Sequence, residues 1–230
     1  DIQIEVEKSA PEQAKENEIV RYTIEKVRNA GNCAVDNFTL TDRLPAQVML
    51  SELWTGTFGG LKDSDSYSIW YQTNQNGSYR LWRSDIQAGI STHLTANELN
   101  LDDGEEVTAF QYRFGTVNRG FTELEKPEYL VQIKTGLSNG EEVVNRIELT
   151  GDKMGIIYTT EDETVTRIDK PETSNSGGGT PSSEPEALSP VQTGDRSGVL
   201  IWCIIAAATV TAAGIIVWNR RRKSRRKDDN

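Results

Sequence analysis

The chain has 230 residues, a formal net charge of −10 and 36% hydrophobic residues, a length that accommodates one substantial domain or two. The acidic balance argues against a nucleic-acid partner, because phosphate backbones bind basic surfaces. The average also hides a separation of charge, since the last dozen residues are strongly basic and the rest correspondingly more acidic.

Residues 1–170 read as β-structure, with period-two alternation and turn residues at short intervals. Ile2, Ile4 and Val6 alternate with polar residues, as do Val20, Tyr22 and Ile24, and then Phe38 and Leu40. Further runs follow at Tyr67–Tyr71, Ser78–Trp82, Phe110–Phe114, Tyr129–Ile133, Val143–Leu149 and Thr164–Ile168. Asn76-Gly77 and Asn139-Gly140 carry hairpin chemistry, because both residue types tolerate positive φ. Ser84 to Leu101 is left for a short helix or an irregular loop. The expected fold is an all-β, antiparallel immunoglobulin-like sandwich.

Residues 171–197 are rich in Pro, Gly, Ser, Thr and Glu with almost nothing to bury, and a disordered linker is expected there. Residues 198–218, Gly198 to Trp218, carry no charge; as a helix they span about 31 Å, which matches a hydrocarbon core of roughly 30 Å. A transmembrane helix is therefore predicted. Residues 219–230 hold seven Lys and Arg directly after it, so the tail is assigned to the cytoplasm and the N-terminus to the outside. Asp1 opens the chain without a signal peptide, and a longer secreted precursor is expected. Cys33 lies outside and Cys203 within the predicted span, so no intrachain disulfide is expected. An animal ectodomain of this size more often has disulfides, which tilts the reading towards a bacterial surface.

Tyr22-Thr-Ile-Glu-Lys-Val-Arg-Asn-Ala-Gly-Asn32, followed by Asn37-Phe-Thr-Leu-Thr-Asp-Arg-Leu-Pro45, resembles the signature of the conserved-repeat, immunoglobulin-like surface domains of Gram-positive bacteria. Val144-Asn-Arg-Ile-Glu-Leu-Thr-Gly151 resembles a strand near the end of those domains. Phe114-Gly-Thr-Val117 and the block Trp54 to Phe58 look like the clostridial variant with an enlarged middle. The resemblance covers residues 1–170. One residue is extra between Tyr22 and Gly31-Asn32, and a β-bulge at Glu25 or Lys26 would keep Ile24 and Val27 facing inward.

Three polar residues occupy registers that alternation assigns to the core. Lys8 continues the face of Ile4 and Val6, Asp42 that of Phe38 and Leu40, and Asn145 that of Val143, Ile147 and Leu149. Left unpaired inside, all three would be costly. The resemblance implies a joint solution, an isopeptide bond. Burial makes the lysine a neutral amine that attacks the Asn145 carboxamide, a protonated Asp42 polarises the carbonyl, and ammonia leaves. The bland alternatives stay open: a snorkelling lysine, a turn-capping aspartate and an asparagine that satisfies backbone groups.

Other candidates are weaker. His93, the only histidine, reads as polar surface, Cys33 as a small packing residue, and Asp63, Asp65, Asp102, Asp103, Glu105 and Glu106 as solvated loop acids with no calcium-loop spacing. No cofactor, metal site or catalytic centre is expected. Trp54, Trp70 and Trp82 are either a ligand platform for a host glycan or protein, or the core of the enlarged middle.

Pro190-Val191-Gln192-Thr193-Gly194, ahead of the span and basic tail, resembles a Leu-Pro-x-Thr-Gly sortase sorting signal, with proline one place early and leucine absent. The resemblance implies attack by a sortase thiolate on the Thr193 carbonyl and transfer to peptidoglycan, the alternative being retention by the membrane helix. The sequence thus predicts a non-catalytic protein at the cell surface, held in the cell wall or plasma membrane, with a structural or adhesive role. An adhesin module using the aromatic middle is the first alternative. A single-pass eukaryotic receptor, suggested by the glycosylation sequons at Asn37 and Asn76, is the second.

Overall fold

Burial alternates residue by residue along most of the strands, as a two-layer β-fold requires, and it does so without a break along Ser66–Thr73. The computed structural model of the protein describes residues 1–62 and 64–170. In chain order the strands are β1 (Ile4–Ser9), β2 (Gln13–Ala14), β3 (Ile19–Asn29), β4 (Val35–Arg43), β5 (Val48–Trp54), β6 (Thr57–Leu61) and β7 (Ser66–Thr73). They continue as β8 (Arg80–Gln87), β9 (His93–Thr95), β10 (Val107–Glu125), β11 (Glu128–Ile133), β12 (Glu142–Lys153) and β13 (Ile156–Ile168), with a 3-10 turn at Ala96–Leu99. Among the described residues no helix is long and apolar enough to cross a membrane. The predicted linker, sorting motif, span and basic tail lie outside the described residues.

A five-stranded sheet runs β1-β3-β11-β5-β9, and an eight-stranded sheet runs β2-β13-β12-β4-β10-β7-β8, with β6 paired to β10. All pairings are antiparallel except β2 with β13, a two-residue parallel contact that the sequence reading did not foresee. The core lies between the sheets. Tyr22, Ile24 and Tyr129 enter it from the first sheet, and Phe38, Leu40 and Phe110 from the second, all fully buried. Tyr22 stacks on Tyr129 with ring centres 5.2 Å apart, and Phe110 meets Tyr129 edge-on at 5.1 Å.

Glu25 is the extra residue of β3. Glu7 pairs with Lys26 and Lys8 with Ile24, so Glu25 has no partner on β1, and both Ile24 and Val27 point into the core. One hairpin reading is corrected and another is met with a longer turn, since β7 and β8 pair antiparallel as expected. Asn139-Gly140 does not close a hairpin, because β11 and β12 belong to different sheets; Gly140 supplies a positive φ of 77° inside a longer crossover. Asn76-Gly77 sits in a six-residue connection between β7 and β8, closed when the Thr73 amide donates to the Asn76 carbonyl at 3.2 Å. Ser84 to Leu101 holds the end of β8, the short β9 and the 3-10 turn.

Candidate functional site

β1 carries Lys8 in the inward register of Val6. β4 carries Asp42, and β12 carries Asn145 two residues from Ile147, which is the cross-strand partner of Asp42. Two adjacent strands of one sheet and the edge strand of the other thus deliver all three side chains to one place. Asp42 and Asn145 are fully buried and Lys8 is 7% exposed.

The Lys8 Nζ donates to Asp42 Oδ2 at 2.6 Å. The Tyr129 hydroxyl donates to the same Oδ2 at 2.8 Å and accepts from Asn145 Nδ2 at 2.8 Å. A carboxylate oxygen and an amide nitrogen are therefore held within two hydrogen-bond lengths of each other across one phenol. The rings of Tyr22 and Tyr129 wall in the amine, their centres 4.9 and 5.1 Å from Nζ. The Lys8 backbone amide donates to Asp162 Oδ2 on β13 at 2.8 Å, which ties β1 to the edge of the second sheet.

Burial pushes the Lys8 amine below its ordinary value against the attraction of the Asp42 carboxylate. Burial likewise pushes the Asp42 carboxyl up, against the charge and hydrogen bond of Lys8 and the hydrogen bond from Tyr129. Both directions favour a neutral amine beside a neutral acid. Asp42 Oδ1 and Asn145 Oδ1 are buried and lack hydrogen-bond partners. Buried acceptors left unpaired cost of the order of 1–3 kcal/mol each, and a proton on the carboxyl turns one of them into a donor. The arrangement combines a nucleophilic amine, an acid and a carboxamide in a water-excluded site, the requirements for amide exchange.

Tyr129 was not among the residues singled out from sequence. Its alternation marks it as core, and nothing in a strand pattern reveals what a buried hydroxyl touches.

The three tryptophans do not share a face. Trp54 lies on the outer side of the five-stranded sheet, stacked on His93 at 4.5 Å and covered by the Arg21 guanidinium at 5.7 Å. Trp70 lies on the outer side of the eight-stranded sheet under Arg113, at 4.2 Å. Trp82 packs against the core beside Tyr71 at 6.2 Å. His93 pairs with Glu52 at 2.8 Å. Among the loop acids, Glu105 pairs with Arg80 and Glu106 with Lys134, and among the described residues no group of three or more His, Cys, Asp or Glu is placed to hold a metal. Cys33 is half-buried and free.

No family model matches this chain, and no curated protein matches it. Among solved structures it is similar to the collagen-binding subdomain of the Enterococcus faecalis surface protein ACE, at 12% identity and a TM-score of 0.33 over 72% of this chain and 96% of that one. It is similar to the collagen-binding domain of a Staphylococcus aureus adhesin, at 12% identity and a TM-score of 0.36 over 70% and 96%. It is also similar to BcpA, the major pilin subunit of Bacillus cereus, at 13% identity and a TM-score of 0.39 over 73% of this chain and 40% of that one.

Proposed function

We propose that this protein is a non-catalytic structural or adhesive module displayed on a bacterial surface, and that its two sheets are joined by an intramolecular isopeptide bond between Lys8 and Asn145. The observation that carries the reading is the buried chain of hydrogen bonds from Lys8 through Asp42 and Tyr129 to Asn145. A lysine and an aspartate with both charged forms disfavoured are a poor stabilising device by themselves, since well-packed apolar residues would serve a core as well or better. They make sense as reactants. The Lys8 amine forms a bond to the Asn145 side-chain carbon, the carbon–nitrogen bond to Nδ2 breaks, and one ammonia leaves.

Display at the surface is supported by the sequence alone: the uncharged stretch 198–218, the basic tail after it, and the motif Pro190 to Gly194 ahead of it. In this reading the linker carries the domain away from the membrane or wall, and a sortase with peptidoglycan as acceptor is the partner class for the motif.

Mass spectrometry of the purified full chain tests the crosslink. The expected mass is lower than the sequence mass by one ammonia, with a branched Lys8–Asn145 peptide after proteolysis, and both features vanish in Lys8→Ala and in Asn145→Ala. An unmodified wild-type mass overturns the reading.

A further inference from the structure

We propose that Tyr129 is a catalytic proton relay for the crosslinking step, carrying a proton from Asp42 to the Asn145 nitrogen as that nitrogen leaves; this inference rests on the crosslink reading above. Three hydrogen bonds in series join the attacking nitrogen to the departing one. Nζ of Lys8 meets Oδ2 of Asp42 at 2.6 Å, Oδ2 meets the Tyr129 hydroxyl at 2.8 Å, and that hydroxyl meets Nδ2 of Asn145 at 2.8 Å. Asp42 is thus in contact with the nucleophile, and its bonded oxygen reaches the leaving group through the phenol.

The chemistry needs such a connection. An amide nitrogen cannot depart as an anion from a dry core; it must be protonated as its bond to carbon breaks. Tyr129, Asp42 and Asn145 are fully buried, so solvent is not the donor. The Tyr129 hydroxyl is within hydrogen-bond distance of Nδ2 and accepts from it.

The step balances without any further reagent. The lone pair of the neutral Lys8 amine forms the bond to the Asn145 side-chain carbon, and the carbonyl electron pair moves onto Oδ1. Asn145 Oδ1 takes the proton of the Asp42 carboxyl as its charge develops, and the surplus proton on Nζ passes to the carboxylate so formed, at Oδ2. Nδ2 now has a free lone pair, because its carbon is tetrahedral. The Tyr129 proton turns from Oδ2 to Nδ2, and the proton newly placed on Oδ2 takes its position on the phenol. The carbonyl reforms as the bond to Nδ2 breaks, and Asn145 Oδ1 returns its proton to Asp42. Ammonia leaves, and Asp42 and Tyr129 end as they began.

Two features of the site suit this role. The Tyr129 ring is clamped by stacking on Tyr22 at 5.2 Å and by the edge of Phe110 at 5.1 Å, which fixes the hydroxyl between its partners. Burial, reinforced by the nearby Asp42 charge, holds the phenol well above its ordinary value, so it stays protonated and available as a donor.

The test follows the full chain made by cell-free translation, sampled over time by intact mass for loss of ammonia. Tyr129→Phe keeps the ring and its stacking but deletes the relay. The expected result is a folded chain that loses ammonia about a hundredfold more slowly, in the range typical of a lost proton-transfer group. Because the phenylalanine variant can fail to fold, 3,5-difluorotyrosine is also placed at position 129; it keeps the hydroxyl and both hydrogen bonds and changes only the acidity of the phenol. A changed rate supports the relay, whereas a merely structural hydroxyl leaves the rate where it was. Wild-type rates in a folded Tyr129→Phe chain, or with difluorotyrosine, overturn the relay and leave the crosslink standing. A wild-type chain that never loses ammonia overturns both.

Discussion

Lys8 and Asp42 meet at 2.6 Å across the interface between the two sheets, one from the edge strand of the five-stranded sheet and the other from the middle of the eight-stranded one. A bond from Lys8 to Asn145 would close a loop over most of the domain and join the sheets as well as the early and late strands. On the chain-entropy treatment of crosslinks, closing so long a loop stabilises by about 5 kcal/mol at most. Wild-type protein is therefore expected to unfold at distinctly higher denaturant than Asn145→Ala, with a difference approaching that figure. Equal midpoints for a crosslinked wild type and the uncrosslinked variant would contradict it.

The same pair predicts an unusual pH profile in the uncrosslinked Asn145→Ala protein. Asp42 has its folded value raised above the ordinary 3.8, so the folded state holds the extra proton and stability falls as pH climbs from that point through the folded value. Lys8 has its folded value lowered below the ordinary 10.5, so the unfolded state holds the extra proton and stability rises as pH climbs from the folded value towards 10.5. The contribution of the pair is thus least favourable at intermediate pH and recovers on both sides. Denaturant titrations from acid to alkaline pH, compared with a chain that also lacks Lys8 and Asp42, should give a difference curve with a central trough. A central maximum would mean a conventional ion pair.

Replacing the pair by apolar residues should separate reactivity from stability. In the Asn145→Ala background, Asp42→Ala alone leaves the buried amine without its hydrogen-bond partner, at a cost of about 1–3 kcal/mol. The combination Lys8→Met with Asp42→Leu should recover most of that loss, because well-packed apolar side chains suit this environment. Urea unfolding of the variants decides it, and a double replacement less stable than Asp42→Ala would show that the pair itself holds the sheets together.

Gly151 marks a close approach of strands β4 and β12. A Cβ at that position would collide with Val35 Cγ1 and lie 3.2 Å from the Phe38 ring. Val35 is β-branched and stiff, and both residues are fully buried. Gly151→Ala is expected to destabilise by about 1–3 kcal/mol through overpacking. Thermal unfolding measures this directly, and an unchanged melting temperature would mean that β4 can shift without cost.

The placement of Lys8, Asp42 and Asn145 was legible in the sequence because period two is a strict rule: a polar residue in a buried register is visible as an exception to it. The Glu25 bulge was legible for a related reason, since Ile24 and Val27 both needed the same face. Tyr129 was not, because a tyrosine in a buried register raises no conflict until the partner of its hydroxyl is known. The tryptophans were misleading as a group. Trp70 and Trp82 lie close in sequence, but strand pleating and the β7–β8 register turn one outward and the other inward, while Trp54 belongs to another sheet. Asn139-Gly140 carried turn chemistry yet said nothing about whether its flanking strands would pair.

The β12–β13 hairpin was missed for the opposite reason, since its turn lacks the usual residues. Met154 and Gly155 occupy the two central positions with φ of 55° and 78°, and Lys153 pairs with Ile156 across them. Positive φ at both positions suits Asn-Gly. A methionine there bears the left-handed penalty of about 1 kcal/mol, and its side chain is 93% exposed, so packing does not offset that cost. Met154→Asn should therefore stabilise the domain by up to about 1 kcal/mol, visible as a higher denaturation midpoint with an unchanged slope. Gly155→Ala should move it the other way. A destabilised Met154→Asn protein would mean that the methionine makes a favourable contact, and binding partners would then be sought at this exposed tip, where Ile156 and Ile157 also face solvent.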